Sequence, residues 1–211
     1  MPSSNAVILN HPLAEHHLAV LRDRKTPPEQ FRRAVQRLST LLCVEAARDL
    51  PLRREQVRTP IALAPAARIR DRIGLVPILR AGLGMVDPIL ELLPEAEVWH
   101  LGMYRDEQTR NPVEYYKKFP ARNPVRIALV LDPMLATGGS SCSALNAVLA
   151  WGVREVRLLS ILAAPEGLRR VRAEFPKVPI YVAGVDRRLN RKAFIVPGLG
   201  DAGDRQFNAV S

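Results

Sequence analysis

The sequence predicts an α/β protein, a parallel sheet flanked by helices, and three observations carry that expectation. Apolar runs of strand length recur at residues 73–79, 98–103, 127–131, 156–162 and 180–185. Helical stretches at residues 84–93, 140–151 and 165–175 fall between them, and strand and helix in turn imply parallel pairing with both faces covered. The run at 127–131 then ends on an acid, Asp132, passes through a turn of small residues and enters a helix at Ser140. Ligands of such sheets bind beyond the carboxyl ends of the strands, so a site is expected at that junction.

The first elements are helical. Residues 12–24 read as a short helix. Thr26-Pro27-Pro28-Glu29 then has capping-box spacing, with Thr26 as N-cap, Pro27 in the first helical position and Glu29 reaching back. Phe31, Ala34, Val35, Leu38, Leu41 and Leu42 follow at helical spacing, so residues 27–49 are expected to form an amphipathic helix. This N-terminal helical segment, about residues 12–50, holds no visible chemistry and suits packing or oligomerisation. His11, His16 and His17 have no cysteine or acid at ligand spacing, so they are assigned to the surface or a helix face rather than to a metal.

Two later stretches break the alternation. Residues 105–124 are polar, proline-flanked and carry Tyr115-Tyr116-Lys117-Lys118, which reads as a protruding hairpin or loop leaving the sheet. From Arg187 onward the chain is loop-like. The run Ile195-Val196-Pro197-Gly198-Leu199-Gly200-Asp201-Ala202-Gly203-Asp204 holds three glycines and a proline, which argue against a regular helix, yet it is apolar enough to be ordered. Ordered irregular segments usually carry function. No repeat or low-complexity linker divides the chain, so residues 1–211 are expected to form a single domain, closed by a C-terminal hood of about residues 187–211.

With 47% hydrophobic and 25% charged residues, the composition is that of a soluble globular protein. No apolar run approaches the roughly 20 residues that span a bilayer. The start, Met1-Pro2-Ser3-Ser4-Asn5, has neither a basic nor an apolar signal region, which argues against secretion. Cys43 and Cys142 lie far apart without ligand spacing, as buried or incidental thiols of a reducing compartment do. A cytoplasmic location and no membrane partner are expected. The formal net charge of +10 raises nucleic acid as a partner. All but five of the 31 basic residues are arginine, scattered in pairs such as Arg32-Arg33 and Arg169-Arg170 rather than gathered in one block. That pattern describes a solvated surface better than a binding groove, so nucleic acid is not expected.

Chemistry concentrates in Val130-Leu131-Asp132-Pro133-Met134-Leu135-Ala136-Thr137-Gly138-Gly139-Ser140-Ser141. Asp132 can accept hydrogen bonds from vicinal hydroxyls. The amides of residues 136–140 can converge on a phosphate at a helix start, whose dipole favours the anion, and the glycines let the backbone approach it. Carboxylate and phosphate cradle together suit a sugar phosphate. A Gly-Gly turn alone is common in α/β proteins; Asp132, Thr137 and Ser140 at their spacing make this one specific. It is not a Walker loop, because no Gly-Lys-Ser/Thr follows. Arg80 follows the run 73–79 and begins a glycine-rich turn. Gly82-x-Gly84 beside it lacks the third glycine of a dinucleotide fingerprint, with Asp87 in its place.

The wording from Asp132 to Ser140 resembles the 5-phosphoribosyl 1-diphosphate (PRPP) loop of type I phosphoribosyltransferases, and their uracil branch in particular. Pro77-Ile78-Leu79-Arg80-Ala81-Gly82-Leu83-Gly84-Met85, Gly102-Met103-Tyr104-Arg105 and Pro197-Gly198-Leu199-Gly200-Asp201-Ala202-Gly203-Asp204 resemble that branch in the same order, so the resemblance covers nearly the whole chain. It implies the type I fold with a base-binding hood, and transfer of the 5-phosphoribosyl group from PRPP to uracil, giving UMP and diphosphate. PRPP binding is implied for Arg80, Arg105, Asp132, Pro133, Met134, Leu135, Ala136, Thr137, Gly138, Gly139, Ser140 and Asp201. Uracil binding is implied for Ile195, Gly200, Asp201 and Ala202, and catalytic roles for Asp201, Arg105 and Asp132. Arg105 would close onto the diphosphate, where charge grows in the transition state. Magnesium is expected through the substrate's own oxygens, with no protein-caged metal.

Asp132-Pro133 offers one acid where other branches usually show two, which favours uracil over hypoxanthine or orotate. A homo-oligomer, dimer or tetramer, is implied, and the resemblance leaves GTP open as an effector. Phe194 departs from the tyrosine usual there, removing any contact made by that phenol. The alternative of another class is an RNA-binding pyrimidine regulator on the same fold. The scattered arginines and the intact C-terminal loop count against it.

Overall fold

The computed structural model describes residues 6–105, 112–120 and 122–209, with residues 104–105 and 112–114 described by their backbone alone. The chain opens with β1 (Ala6–Ile8) and α1 (Pro12–Arg22), where the His11 ring Nδ1 caps the helix by accepting the Leu13 N–H at 3.1 Å. In α2 (Pro28–Ala46) the expected capping box does not form. Pro27 stands at the N-cap with no side-chain bond, the Thr26 hydroxyl donates to Val20 O at 2.7 Å, and Glu29 pairs with Arg33. The short link between the helices sets Thr26 against the open carbonyls ending α1, and its hydroxyl finds an acceptor there. The helix also stops at Ala46, short of residue 49.

An antiparallel hairpin, β2 (Leu52–Arg58) and β3 (Leu63–Ile69), follows as a separate two-stranded sheet. It shows no clean apolar alternation in the sequence because neither face is buried. Strand and helix then alternate as expected. β4 (Ile73–Leu79) runs into a 3-10 turn (Ala81–Met85) and α3 (Val86–Leu92). The run expected as one strand at 98–103 is split into β5 (Glu97–Val98) and β6 (Leu101–Arg105), which pair with opposite halves of β4. β7 (Pro112–Lys117) folds back antiparallel on β6, so this hairpin extends the sheet rather than leaving it. β8 (Ile127–Leu131), β9 (Met134–Leu135), α4 (Gly139–Ala150), β10 (Glu155–Ala163), α5 (Pro165–Glu174) and β11 (Ile180–Val185) complete the α/β body.

The main sheet has the order β1-β11-β10-β8-β4-β6-β7, parallel throughout except for β7. Its strands are apolar on both faces because both faces are covered. Leu75, Ile127, Leu129 and Leu159 pack under α1, α2 and α3; Val76, Ala128, Val130 and Leu158 pack under α4 and α5.

The C-terminal segment holds more regular structure than expected. β12 (Arg188–Leu189) pairs with β13 (Ile195–Val196), and α6 (Ala202–Phe207) follows. The glycines do not prevent this helix: Gly198 (φ +69°) and Gly200 (φ +81°) turn the chain ahead of it, and only Gly203 lies inside. Among the described residues, no helix is long and apolar enough to cross a membrane. Cys43 and Cys142 are both free and buried, and burial pushes their thiols up to about 11 and about 12.

Candidate active site

The junction after β8 is built from its own neighbours. The Asp132 N–H still reaches across the sheet to Leu159 O at 3.1 Å. Its carboxylate then receives the Ser141 hydroxyl at 2.6 Å and the Met134 N–H at 3.2 Å, which set it at the strand end. The Leu135 N–H donates to the buried Ser160 hydroxyl at 3.2 Å, anchoring the turn to β10. Gly138, in the left-handed region at φ +79°, is the N-cap of α4. The first amides of a helix lack acceptors within it, so this end of α4 presents donors and a positive dipole end to an anion. Two amides expected among those donors are taken up locally: that of Ala136 by Met134 O at 2.9 Å, and that of Gly139 by the Thr137 hydroxyl at 3.4 Å.

A neighbouring helix supports the turn through a second glycine. A Cβ on Gly167 would stand 2.6 Å from Ala136 O and 2.8 Å from Leu135 O, so only glycine lets α5 pack this close. On the other side, a Cβ on Gly82 would stand 2.5 Å from Leu131 O, so the turn after β4 rests directly on the end of β8. These close approaches bring Arg80 and Asp132 to one cleft. Arg80 is held by Asp204 Oδ1 at 2.9 Å with its side chain 60% exposed, and the Leu79–Arg80 peptide bond is cis.

The cleft, of about 210 Å³, gathers Arg80, Asp132, Met134, Ala136, Thr137, Gly138, Gly139, Ser140 and Asp201 among the residues singled out from the sequence. It is smaller than the roughly 300–1,000 Å³ typical of ligand pockets. Ile78, Leu79, Ala81, Met103, Ser141 and Gly203 also line it, and sequence reasoning did not single these out as site residues. Pro133, Leu135, Ile195, Gly200 and Ala202 do not line it; Leu135, Ile195 and Ala202 are buried in the core. The Arg105 side chain lies outside the described part of the structure, although its backbone ends β6.

Asp201 caps α6 by accepting the Asp204 N–H at 2.9 Å while facing the cleft, so its capping and cleft-lining positions coincide. Long-range bonds hold the rest of the hood. Gln206 Nε2 donates to Ala81 O at 3.1 Å and to Ala202 O at 3.0 Å, linking α6 to the Arg80 turn. Arg205 donates to Leu21 O, to Leu199 O at 2.7 Å and to Asp23 O at 2.6 Å, and lies over the Phe31 ring. Burial pushes the Asp186 carboxyl up, but the Arg22 guanidinium, the Gly198 amide and Arg187 together hold it below its usual range. Bonds from its own and the Leu189 backbone amides hold the Glu166 carboxyl low, tying α5 to β12. One arginine expected on a solvated surface is spent inside: the Arg157 side chain, 3% exposed, donates to Ala46 O at the end of α2, to Asp49 and to Glu155.

A strand-end carboxylate facing a glycine-capped helix start, on a sheet of this order, is the design of a type I phosphoribosyltransferase. A family model described as "Uracil phosphoribosyltransferase" matches residues 7–209. The uracil phosphoribosyltransferase of Roseiflexus sp. (strain RS-1) is 52% identical over 204 residues, spanning 97% of this chain and 98% of its own. That of Roseiflexus castenholzii is 53% identical over 200 residues, spanning 95% and 96%. Among solved structures, the AQ2163 protein from Aquifex aeolicus matches with a TM-score of 0.91 at 40% identity, covering 97% of this chain and 98% of its own. The chain belongs to the uracil phosphoribosyltransferase family.

Proposed function

We propose that this protein transfers the 5-phosphoribosyl group of PRPP to uracil, releasing diphosphate and giving UMP. The observation that carries the reading is Asp132 at the end of β8, sharing one cleft with the start of α4 and with Arg80. In this reading the 5-phosphate sits on the turn of residues 137–140, where helix dipole and amides favour it. Asp132 receives the ribose hydroxyls, with Ser141 and the Met134 amide fixing its direction. Arg80 leaves or shares Asp204 to meet the diphosphate, and Arg105 meets it as charge accumulates on the leaving group. The bond from the anomeric carbon to diphosphate oxygen breaks, that to the uracil nitrogen forms, and Asp201 takes up the proton the ring nitrogen releases.

The backbone of the segment holding Ile195, Gly200, Asp201 and Ala202 reads the base, because N–H and C=O groups complement uracil's two carbonyls and the N–H between them. Among the described residues, no group of three or more His, Cys, Asp or Glu side chains could hold a metal. Asp132 and Asp201, carboxylates that line the cleft, would face a magnesium ion carried on the substrate's diphosphate and ribose oxygens, and such an ion would neutralise diphosphate charge. A homo-oligomer is part of the same reading, supported by Leu52, Ile61, Leu63 and Ile69 standing exposed on the β2–β3 hairpin.

A base panel with PRPP and magnesium, following diphosphate release, tests the assignment. Uracil is expected to react and cytosine to fail by about a thousandfold, since cytosine reverses two polar contacts worth about 1–3 kcal/mol each. Release with hypoxanthine, guanine or orotate but not with uracil would overturn the branch. Comparable rates for cytosine would remove residues 195–202 as the base clamp.

A further inference from the structure

One charged pair joins the first long helix of the chain to the segment that leads into the hood. Arg22 closes α1, and Asp186 follows β11. They meet in a two-pronged pair, Nη1 to Oδ2 at 2.8 Å and Nη2 to Oδ1 at 2.7 Å. Both groups also address one further residue. The Gly198 N–H donates to Asp186 Oδ2 at 2.7 Å, and Arg22 Nη1 donates to Gly198 O at 3.1 Å. Gly198 turns at φ +69° so tightly that a Cβ would stand 2.2 Å from Ile195 O. Its amide and its carbonyl are therefore both gripped, two residues before Gly200. The Asp186 side chain is 6% exposed, so water competes little for these bonds.

A buried ion pair adds little net stability over an apolar pair of similar volume. Its particular contribution is direction: four bonds converge on one ion pair and one glycine, at the entrance to the segment whose backbone reads the base. Such recognition needs its donors and acceptors placed to within about 0.5 Å.

We propose that Arg22 and Asp186 are positioning residues for base recognition, fixing Gly198 and through it the path of residues 198–202. This rests on reading that segment as the uracil clamp. The phosphate floor is built on β8, β10 and α4 and does not share these bonds. Loosening Gly198 therefore acts unequally on the two substrates, weakening uracil more than PRPP, which in this segment meets Asp201 alone.

The test uses the full chain and three variants. Asp186→Asn is expected to raise the uracil KM about tenfold or more, the effect of losing a charge-assisted bond. Its PRPP KM rises less than the uracil KM, and amide hydrogen exchange across residues 198–203 speeds up. Arg22→Lys, on a side chain 31% exposed, keeps the charge without the fork and gives a smaller rise of the same kind even if Asp186→Asn does not fold. In Arg22→Met/Asp186→Leu an apolar pair restores the melting temperature, yet Gly198 stays unheld and the uracil KM stays high. Recovery of the uracil KM together with stability in that double variant would reduce the pair to a structural brace and overturn the proposal. So would an unchanged uracil KM in folded Asp186→Asn, or equal rises for both substrates. If wild type made no UMP, the clamp reading would fail on its own, and unchanged exchange across residues 198–203 in the variants would still overturn the hold on Gly198.

Discussion

The turn of residues 132–140 and the hood of residues 186–209 face the same cleft and are held there by opposite means. Each bond that shapes the turn reaches a partner close along the chain: Met134 to Asp132 two residues away, Ser141 to Asp132 nine away, Leu135 to Ser160 twenty-five away. The hood is fixed from the far end of the sequence, by Arg22 on Asp186 across 164 residues and Arg205 on Leu21 across 184. The turn therefore takes its conformation from β8 and α4 and from β10 and α5, the next elements along the chain. The hood borrows its conformation from the N-terminal helices, so on the proposed assignment of the site a substitution there alters base recognition more than it alters the turn of residues 132–140.

Three substitutions sharpen or break this contrast, beginning with the largest effect. Asp132→Asn should lower kcat/KM about tenfold to a hundredfold, the worth of a charge-assisted bond of about 1.5–3 kcal/mol, with little change in melting temperature. Wild-type kinetics in the folded variant would take Asp132 out of the site. Arg205→Met strips the bonds to Leu21, Leu199 and Asp23 carbonyls and the contact with Phe31. Chemical denaturation should show a loss of about 1–3 kcal/mol, and steady-state kinetics a raised uracil KM with PRPP nearly unaffected. A matching rise in the PRPP KM would mean that turn and hood are not separately supported. The smallest effect belongs to Phe194→Tyr. Phe194 is 46% exposed, so restoring the hydroxyl should shift the uracil KM by no more than about twofold; a larger gain would place that ring in the base site.

The same contrast explains what could be read from the sequence. β4, β8 and β11 have the bounds expected from their apolar runs, because strands buried on both faces announce themselves continuously. Asp132 and the Thr137–Ser140 stretch were legible for a similar reason: strand end, turn and helix start are contiguous. Ser141 closes the run singled out in the sequence yet receives no role there, although a hydroxyl in the first turn of a helix behind a strand-end acid is a usable signal. Gly167 could not be found that way, since its need for glycine comes from carbonyls more than thirty residues earlier. Thr26 shows the converse, a correct local pattern overruled by the end of the preceding helix. The β2–β3 hairpin left no periodic trace because it buries neither face. The partners of the arginines were the least legible. Arg22, Arg32, Arg157 and Arg205 reach main-chain carbonyls, and nothing about an arginine in a sequence states which carbonyl it will reach.

The pairing of β1 with β11, alongside the Arg22 bond to Asp186, has a consequence for how the molecule comes into being. β1 and α1 emerge from the ribosome before β11 and Asp186 and must wait for them to be made. At about 5–20 residues per second, that wait is roughly ten to thirty seconds. Throughout it, α1 exposes the face that later packs on the sheet, and the edge of β1 stays unpaired, the period in which a nascent chain most needs shielding. A chain released before Asp186 would carry the whole turn of residues 132–140 and none of the hood that closes over it.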